Sequence, residues 1–467
     1  MKQLLQDSSA FSVMLFTLMF LLIISKIPDN YRVNVFGMEY KLKKVDMLLD
    51  VKADSTAPAE EKSSGSLSRN SYHLAGSLFA ILRSGEAEKD AVSLAATKIS
   101  CPMPDVPKIE NAENLKNFFQ AMKSAGSKKV RIAHYGDSGI EGDNISSDLR
   151  KNLQAKFGGN GVGIVGITPV DIQFRTTTNV KFSPDWKTAS IRPTENPAKL
   201  PIGINGYVYQ PIPNSWVSYE ASGRYNVKSF ALAKIFYVSD KKFSVKYSFD
   251  NKPDVTVELK ASPIPAEFVL DSKGKARIVK ITVVNPAKTY FYGVSLEETN
   301  GIYVDNFPLR GITGQTLKDI DPAILKNFNK LLNYKLIILN FGLNVVDKNA
   351  EQKDFVWYEN LMASVISQYK ETFPEASFLL VSVQDMTKNN GTDERVIKLV
   401  DSQRKIANKA GIAFFDLYKA MGGKNSLLDW VEKGLAAKGE VHLKLDGYKK
   451  LSELIFNGLM DASNTVK

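Results

Sequence analysis

Short apolar runs at residues 130–135 (VRIAHY), 336–341 (LIILNF), 377–383 (SFLLVSV) and 412–417 (IAFFDL) read as buried strands, and helical spacing of apolar side chains separates them. Ile145, Leu149 and Leu153 recur every four residues after the first run. Further helices are expected over residues 112–125 and near 355–372 and 393–410. Such strand–helix alternation predicts a parallel sheet wrapped by helices. Between the first strand–helix unit and the remainder lies a stretch of another kind, from about Val170 to Asp305. It holds short β-rich segments (Phe243–Phe249, Val255–Leu259, residues 276–284 and 290–296) divided by turn residues such as Asp250-Asn251 and Ser272-Lys273-Gly274. The expectation is an all-β sandwich inserted into an α/β domain.

The chain of 467 residues is long enough for more than one core. Its first residues differ from the rest: positions 8–25 (SSAFSVMLFTLMFLLIIS) are uncharged, mostly apolar and near the short end of what spans a bilayer. No Ala-x-Ala-like site follows, and Lys26-Ile27-Pro28 stands where one belongs, so residues 1–27 are read as a retained single-pass transmembrane anchor rather than a cleaved leader. Lys26, Arg32, Lys41, Lys43 and Lys44 follow the segment while Lys2 precedes it, which by charge alone favours a cytoplasmic body. Large domains cross largely regardless of flanking charge, and an extracytoplasmic body is expected, periplasmic in a Gram-negative cell. Residues 28–110 read as a polar linker, with a candidate helix at 71–99. Cys101 is the sole cysteine, which excludes an internal disulfide, and it lies too far from the apolar segment for lipid attachment. The net charge of +11 suits an anionic surface or acidic glycan, but neither zinc-finger spacing nor an RNA-binding signature accompanies it, so no nucleic-acid partner is expected.

Three loops at expected strand ends carry candidate chemistry, on the sheet edge where ligands of open α/β folds bind. Ser138, in HYGDSGIEGD, lies between a strand and a helix, a place also favoured by ordinary capping serines. Gly342-Leu343-Asn344 follows LIILNF and offers an amide donor, and Gly311-Ile312-Thr313-Gly314 offers a backbone N–H. Of three histidines, His73 adjoins the tether and His134 sits inside a strand as a packed side chain. His442 stands in a loop before a helix marked by Leu451, Leu454, Ile455 and Leu459, and is the candidate base. The run from Gly161 to Gly166 (GVGIVG) matches a dinucleotide fingerprint formally, but it follows a helix and leads into a β-rich run, the reverse of the required order.

Taken in order, Gly136-Asp137-Ser138, Gly314, Gly342-Leu343-Asn344 and His442 resemble the four blocks of the SGNH (GDSL-type) hydrolase family. The resemblance implies a flavodoxin-like three-layer α/β/α domain without metal or organic cofactor, divided into residues 111–169 and 306–462 by a carbohydrate-binding-like sandwich at 170–305. It assigns Ser138 as nucleophile, His442 as general base, and the Ser138 N–H, Gly314 and Asn344 as the oxyanion hole. The implied reaction is hydrolysis of O-acyl esters, O-acetyl above all, on a cell-envelope polysaccharide such as peptidoglycan. An O-acetyltransferase using the same acyl-enzyme is the alternative, and related proteins work beside a membrane-bound O-acyltransferase. One departure stands out: the family's Asp three residues before the histidine is here Gly439, with Glu440 next to it as a substitute orienter. A catalytically impaired glycan-binding scaffold is therefore a third reading.

Overall fold

A computed structural model describes residues 107–466 apart from 169–171, 173, 226, 349–353 and 440, together with the backbone of Arg32–Val35 and Met38–Lys41. The chain divides into two units, Met1–Ile99 and Ser100–Lys467. In the first, Arg32–Val35 and Met38–Lys41 pair antiparallel, Arg32 opposite Lys41. The linker expected over 28–110 thus contains a hairpin. Its sequence has the signal, β-favouring residues on either side of Phe36-Gly37, a two-residue spacing suited to a tight turn. The apolar segment 8–25 and the candidate helix 71–99 lie outside the described residues. No helix among the described residues is long and apolar enough to cross a membrane.

In the second unit a five-stranded parallel sheet runs in the order Gly301–Pro308, Lys129–Gly136, Tyr334–Asn340, Ser377–Val381, Ala413–Phe415. Numbered along the chain this is 2-1-3-4-5, the flavodoxin-like order. Its strands are apolar almost throughout because both faces are covered. Leu336, Ile338, Leu379 and Val381 pack with Leu149, Leu153, Leu451 and Ile455 of the helices Asn144–Phe157 and Leu445–Thr465. Their neighbours Ile337, Leu339, Phe378 and Leu380 belong to the core containing Met362, Ile366, Leu399 and Ile406 of the helices Val356–Thr372 and Glu394–Ala410. The result is three layers, as the alternation predicts.

The first sheet strand to follow the insertion, Gly301–Pro308, is absent from the sequence expectation. It pairs in parallel with Lys129–Gly136, Asp305 opposite Ala133, so residues 301–305 belong to the α/β sheet and not to the insertion. At the other end Gly163–Val165 pairs with Thr289–Glu297, so the insertion begins before position 170. Nothing in the periodicity separates GIYVDNFP from the β-rich sequence before it. The insertion itself consists of two antiparallel sheets. One has the order Val255–Leu259, Phe243–Phe249, Ile278–Val283, Trp216–Ala221, Thr178–Phe182. The other has the order Ser262–Ala276, Phe230–Ser239, Thr289–Glu297, Tyr207–Gln210, Lys187–Ser190, with Gly163–Val165 on Thr289–Glu297. Gly161 and Gly163, at φ +101° and +75°, belong to this junction: a Cβ would strike the Leu296 carbonyl or the Asp305 carboxylate.

The insertion is welded to the α/β domain. Phe328, on the helix Pro322–Leu332, packs against Phe236 and Tyr292, with ring centroids 6.0 and 5.2 Å apart. The junction also holds a buried ion cluster. Arg131 donates to Asp305 at 2.9 Å and to Glu297 at 2.5 Å, and Tyr334 donates to Asp305 at 2.6 Å. Burial opposes ionisation of Glu297, but Arg131, Lys129 and Lys234 outweigh it and hold the carboxyl below its usual range. Removing Arg131 leaves buried Asp305 without a cationic partner and takes one of three cations from Glu297, so Arg131→Met is expected to cost about 3–5 kcal/mol. Urea denaturation checks this, and a loss below about 1 kcal/mol would show the cluster to be dispensable.

Candidate active site

The strand Lys129–Gly136 ends against its neighbour: a Cβ on Gly136 would sit 2.8 Å from the Asn340 carbonyl. The chain then turns at Asp137, whose buried carboxylate caps the short helical segment Ser138–Asp143. One Asp137 oxygen accepts from the Gly139 N–H at 2.9 Å; the other accepts from Gly342 at 3.0 Å and Leu343 at 3.1 Å. One side chain therefore fixes the Ser138 turn to the Gly342-Leu343-Asn344 loop. Burial pushes its pKa up, opposed by those three N–H groups. Asn344, in the helix Leu343–Lys348, donates from Nδ2 to the Ile312 carbonyl at 3.4 Å, joining this loop to the 311–314 loop. Gly314 has φ +95°, and a Cβ there would press on Phe341 and Met362 at 3.0–3.1 Å. Three of the predicted blocks are thus hydrogen-bonded in series.

The fourth closes on the first. Nε2 of His442 lies 2.8 Å from Oγ of Ser138, where the hydroxyl can donate to an imidazole protonated at Nδ1. The loop bearing His442 is held on both sides. Gln384, just beyond the strand Ser377–Val381, donates to the Val441 carbonyl at 2.9 Å, and Ala436 bridges Leu443. A pocket of about 350 Å³ opens over the pair, lined by Ser138, Glu141, Asn144, Phe174, Arg310, His442, Leu443, Leu445 and Tyr448. Gly314 and Asn344 are not among its lining residues. A larger cleft, about 700 Å³, between Pro107–Ala112 and Asp461–Thr465 holds no nucleophile–base pair.

Glu440 lies outside the described residues. Gly439 has φ +76° and open space around the position of a Cβ. His442 lowers the pKa of the Asp137 and Glu141 carboxyls, against burial, which raises both. Glu141 also accepts from Arg310 Nη1 at 3.0 Å, and burial nevertheless leaves its pKa raised. The sequence assigns a role to neither Asp137 nor Glu141. The signal for the second is its place three residues after Ser138, where the backbone leaves the helical conformation.

His134 is wholly buried, as its place inside a strand predicts. Its Nδ1 lies 2.8 Å from Ser146 Oγ, which donates to Asn306 Oδ1 at 2.7 Å, so the imidazole is the donor to that hydroxyl. Burial pushes its pKa down to about 4. The unfolded chain, with a histidine near 6.5, binds the proton first, so this group's contribution is full above about pH 6.5 and fades as pH falls towards 4. Stability is expected to drop by about 2 kcal/mol from pH 7 to pH 5 on this account. Urea midpoints at the two pH values measure it; a His134→Gln variant with the same pH slope as the parent would refute the assignment.

No protein-family model matches the chain, and no curated protein matches it in sequence. Solved structures do. A structure of a peptidoglycan O-acetylesterase in action is 20% identical with a TM-score of 0.62, over 76% of this chain and 96% of that one. A family two carbohydrate esterase from Cellvibrio japonicus is 9% identical over 62% of this chain and 99% of its own, with a TM-score of 0.26. An acetyl xylan esterase from Geobacillus stearothermophilus is 20% identical over 34% and 73%, with a TM-score of 0.27. The first of these covers both the α/β domain and the insertion. At 20% identity the likeness is one of fold: this chain has the architecture of a solved peptidoglycan O-acetylesterase.

Proposed function

We propose that the protein is an SGNH-type serine esterase that removes O-acyl groups, O-acetyl first among them, from a cell-envelope polysaccharide such as peptidoglycan. The observation that carries this is the 2.8 Å approach of His442 Nε2 to Ser138 Oγ beneath an open pocket, on the sheet edge where such folds bind ligands. In the first step Nε2 takes the hydroxyl proton while Oγ bonds to the ester carbon and the carbonyl becomes an oxyanion. The Ser138 N–H, the Gly314 N–H and the Asn344 amide are the assigned donors to it. Collapse breaks the bond to the sugar oxygen, which leaves with the proton from Nε2. Water, deprotonated by the same nitrogen, then releases the acid and restores the serine. Glu440 is the candidate orienter of the imidazole.

Ser138→Ala and His442→Ala are each expected to lower acetate release from a small acetyl ester by about 10³-fold or more. Equal rates in wild type and Ser138→Ala would leave the glycan-binding scaffold, the reading that Gly439 favours. Asp is among the residues that tolerate positive φ, and space is open at this position, so Gly439→Asp should fold. It is expected to raise kcat about tenfold by supplying the missing orienter, and an unchanged kcat in a folded variant would count against His442 as base.

We further propose that residues 8–25 anchor the protein in the membrane with its catalytic body outside the cytoplasm, within reach of acylated glycan and of a membrane-bound O-acyltransferase. Protease added to spheroplasts should then digest the body. Protection until lysis, or recovery in the soluble fraction, would overturn this placement.

A further inference from the structure

The pocket over Ser138 has a basic side that the hydrolytic steps do not use. Arg310 lines it and is 57% exposed at its side chain, with Nη1 on Glu141 at 3.0 Å. It stands at the end of the strand Gly301–Pro308 and so on the catalytic edge of the sheet. Next to it in sequence is Gly311, at φ +71°, and over Gly311 lies a second guanidinium: Nη2 of Arg192 is 3.1 Å from where a Cβ on Gly311 would stand. Arg192 belongs to the insertion, is 35% exposed, and gives its Nη1 to Glu195 at 2.9 Å. Both arginines act electrostatically on Glu141, a pocket-lining residue. Each is thus held by one carboxylate through one edge. Among the described residues no further hydrogen bond engages the other side-chain donors of either guanidinium.

Two anchored guanidinium groups from different parts of the fold, one lining the pocket and the other over the glycine that follows it in sequence, offer the planar charge-assisted donors that suit a carboxylate. Structural bracing of Glu141 accounts for Arg310 alone. It does not account for Arg192, which has its own partner in Glu195 and still lies over Gly311, next in sequence to the pocket-lining Arg310. Phe174, 50% exposed on the same pocket, offers an apolar face beside this polar side. A cavity of about 350 Å³ is near the lower end of ligand-pocket sizes, suited to about one sugar ring with its substituents.

We infer that Arg310 and Arg192 bind a free carboxylate on the acylated sugar itself, so that the preferred substrate unit is an anionic sugar rather than a neutral one. The inference rests on the esterase reading and narrows its substrate class. In a peptidoglycan strand the muramic acid unit carries such a carboxylate, free where no peptide is attached and amide-bonded where one is. A reaction that cleaves that amide would therefore have to precede this enzyme on peptide-bearing strands.

The test compares acetate release from 6-O-acetyl-N-acetylmuramic acid and from its methylamide, which has similar size and no charge. Wild type is expected to prefer the acid in kcat/KM by about tenfold or more, the worth of one charge-assisted pair, and 0.5 M salt should narrow the preference. In Arg192→Gln/Arg310→Gln the ratio should fall to near one, whatever the variant's absolute rate. A wild type that treats the two sugars alike, or a double variant that keeps the preference, overturns the inference and leaves the esterase reading intact. Acetate released from neither sugar faster by wild type than by Ser138→Ala overturns both.

Discussion

The carboxylate of Asp305 is where the two halves of the α/β domain meet. It accepts from Arg131 on the first strand, from the Ile164 N–H where the insertion begins, and from Tyr334 on the strand that follows. These groups are far apart in the chain, because the first strand's two sheet neighbours are both encoded after the insertion. Closing so long a loop costs only slightly more than closing a short one, so the insertion is tolerable provided its ends are held together. The ion cluster does this at the base of the strands, and the ring contacts of Phe328 do it on one face of the sheet. Because the sandwich shares a core with the α/β layers, its loops reach the catalytic edge in fixed positions. Arg192 beside Gly311 is the consequence that matters for recognition.

The same economy of connection appears at the opposite end of the central strand. Ser138 owes its place to Asp137, which satisfies three buried N–H groups from two loops. Three charge-assisted bonds to one buried carboxylate favour its ionised form, while burial disfavours it. Positioning of the nucleophile against the Gly342-Leu343-Asn344 loop therefore comes from a residue whose first duty is to cap a turn.

Much of this was legible in the sequence because local patterns carry it. Apolar runs, their four-residue helical echoes and the turn-rich middle gave the layered sheet and the sandwich, and the order of four short blocks gave the Ser138–His442 pair. What escaped had no local mark. The strand Gly301–Pro308 follows β-rich sequence without a change of period, so its transfer from one sheet to another is decided by partners 170 or so residues away. Arg192 and Arg310 carry no mark in the sequence, since what distinguishes them is spatial: Arg192 lies over Gly311, the residue after Arg310. The oxyanion assignment is legible only in part: Asn344 and the 311–314 loop are brought together, yet Asn344 engages the Ile312 carbonyl and neither it nor Gly314 lines the pocket.

The exposure of His442 bears on how such a site can work without an aspartate three residues upstream. A buried imidazole needs a fixed partner because its charged form has no water to stabilise it; His134 illustrates the cost, with a pKa pushed down to about 4. His442 is exposed, so water reaches the ring and no such burial stands against it. What exposure does not supply is orientation. The hydrogen bond from Gln384 to the Val441 carbonyl and the Ala436–Leu443 bridge hold the backbone on either side of the ring, which limits its movement without touching Nδ1. An open, backbone-held base of this kind suits a substrate that is part of a polymer, because the edge left uncovered for the histidine is also the edge along which a glycan strand can lie.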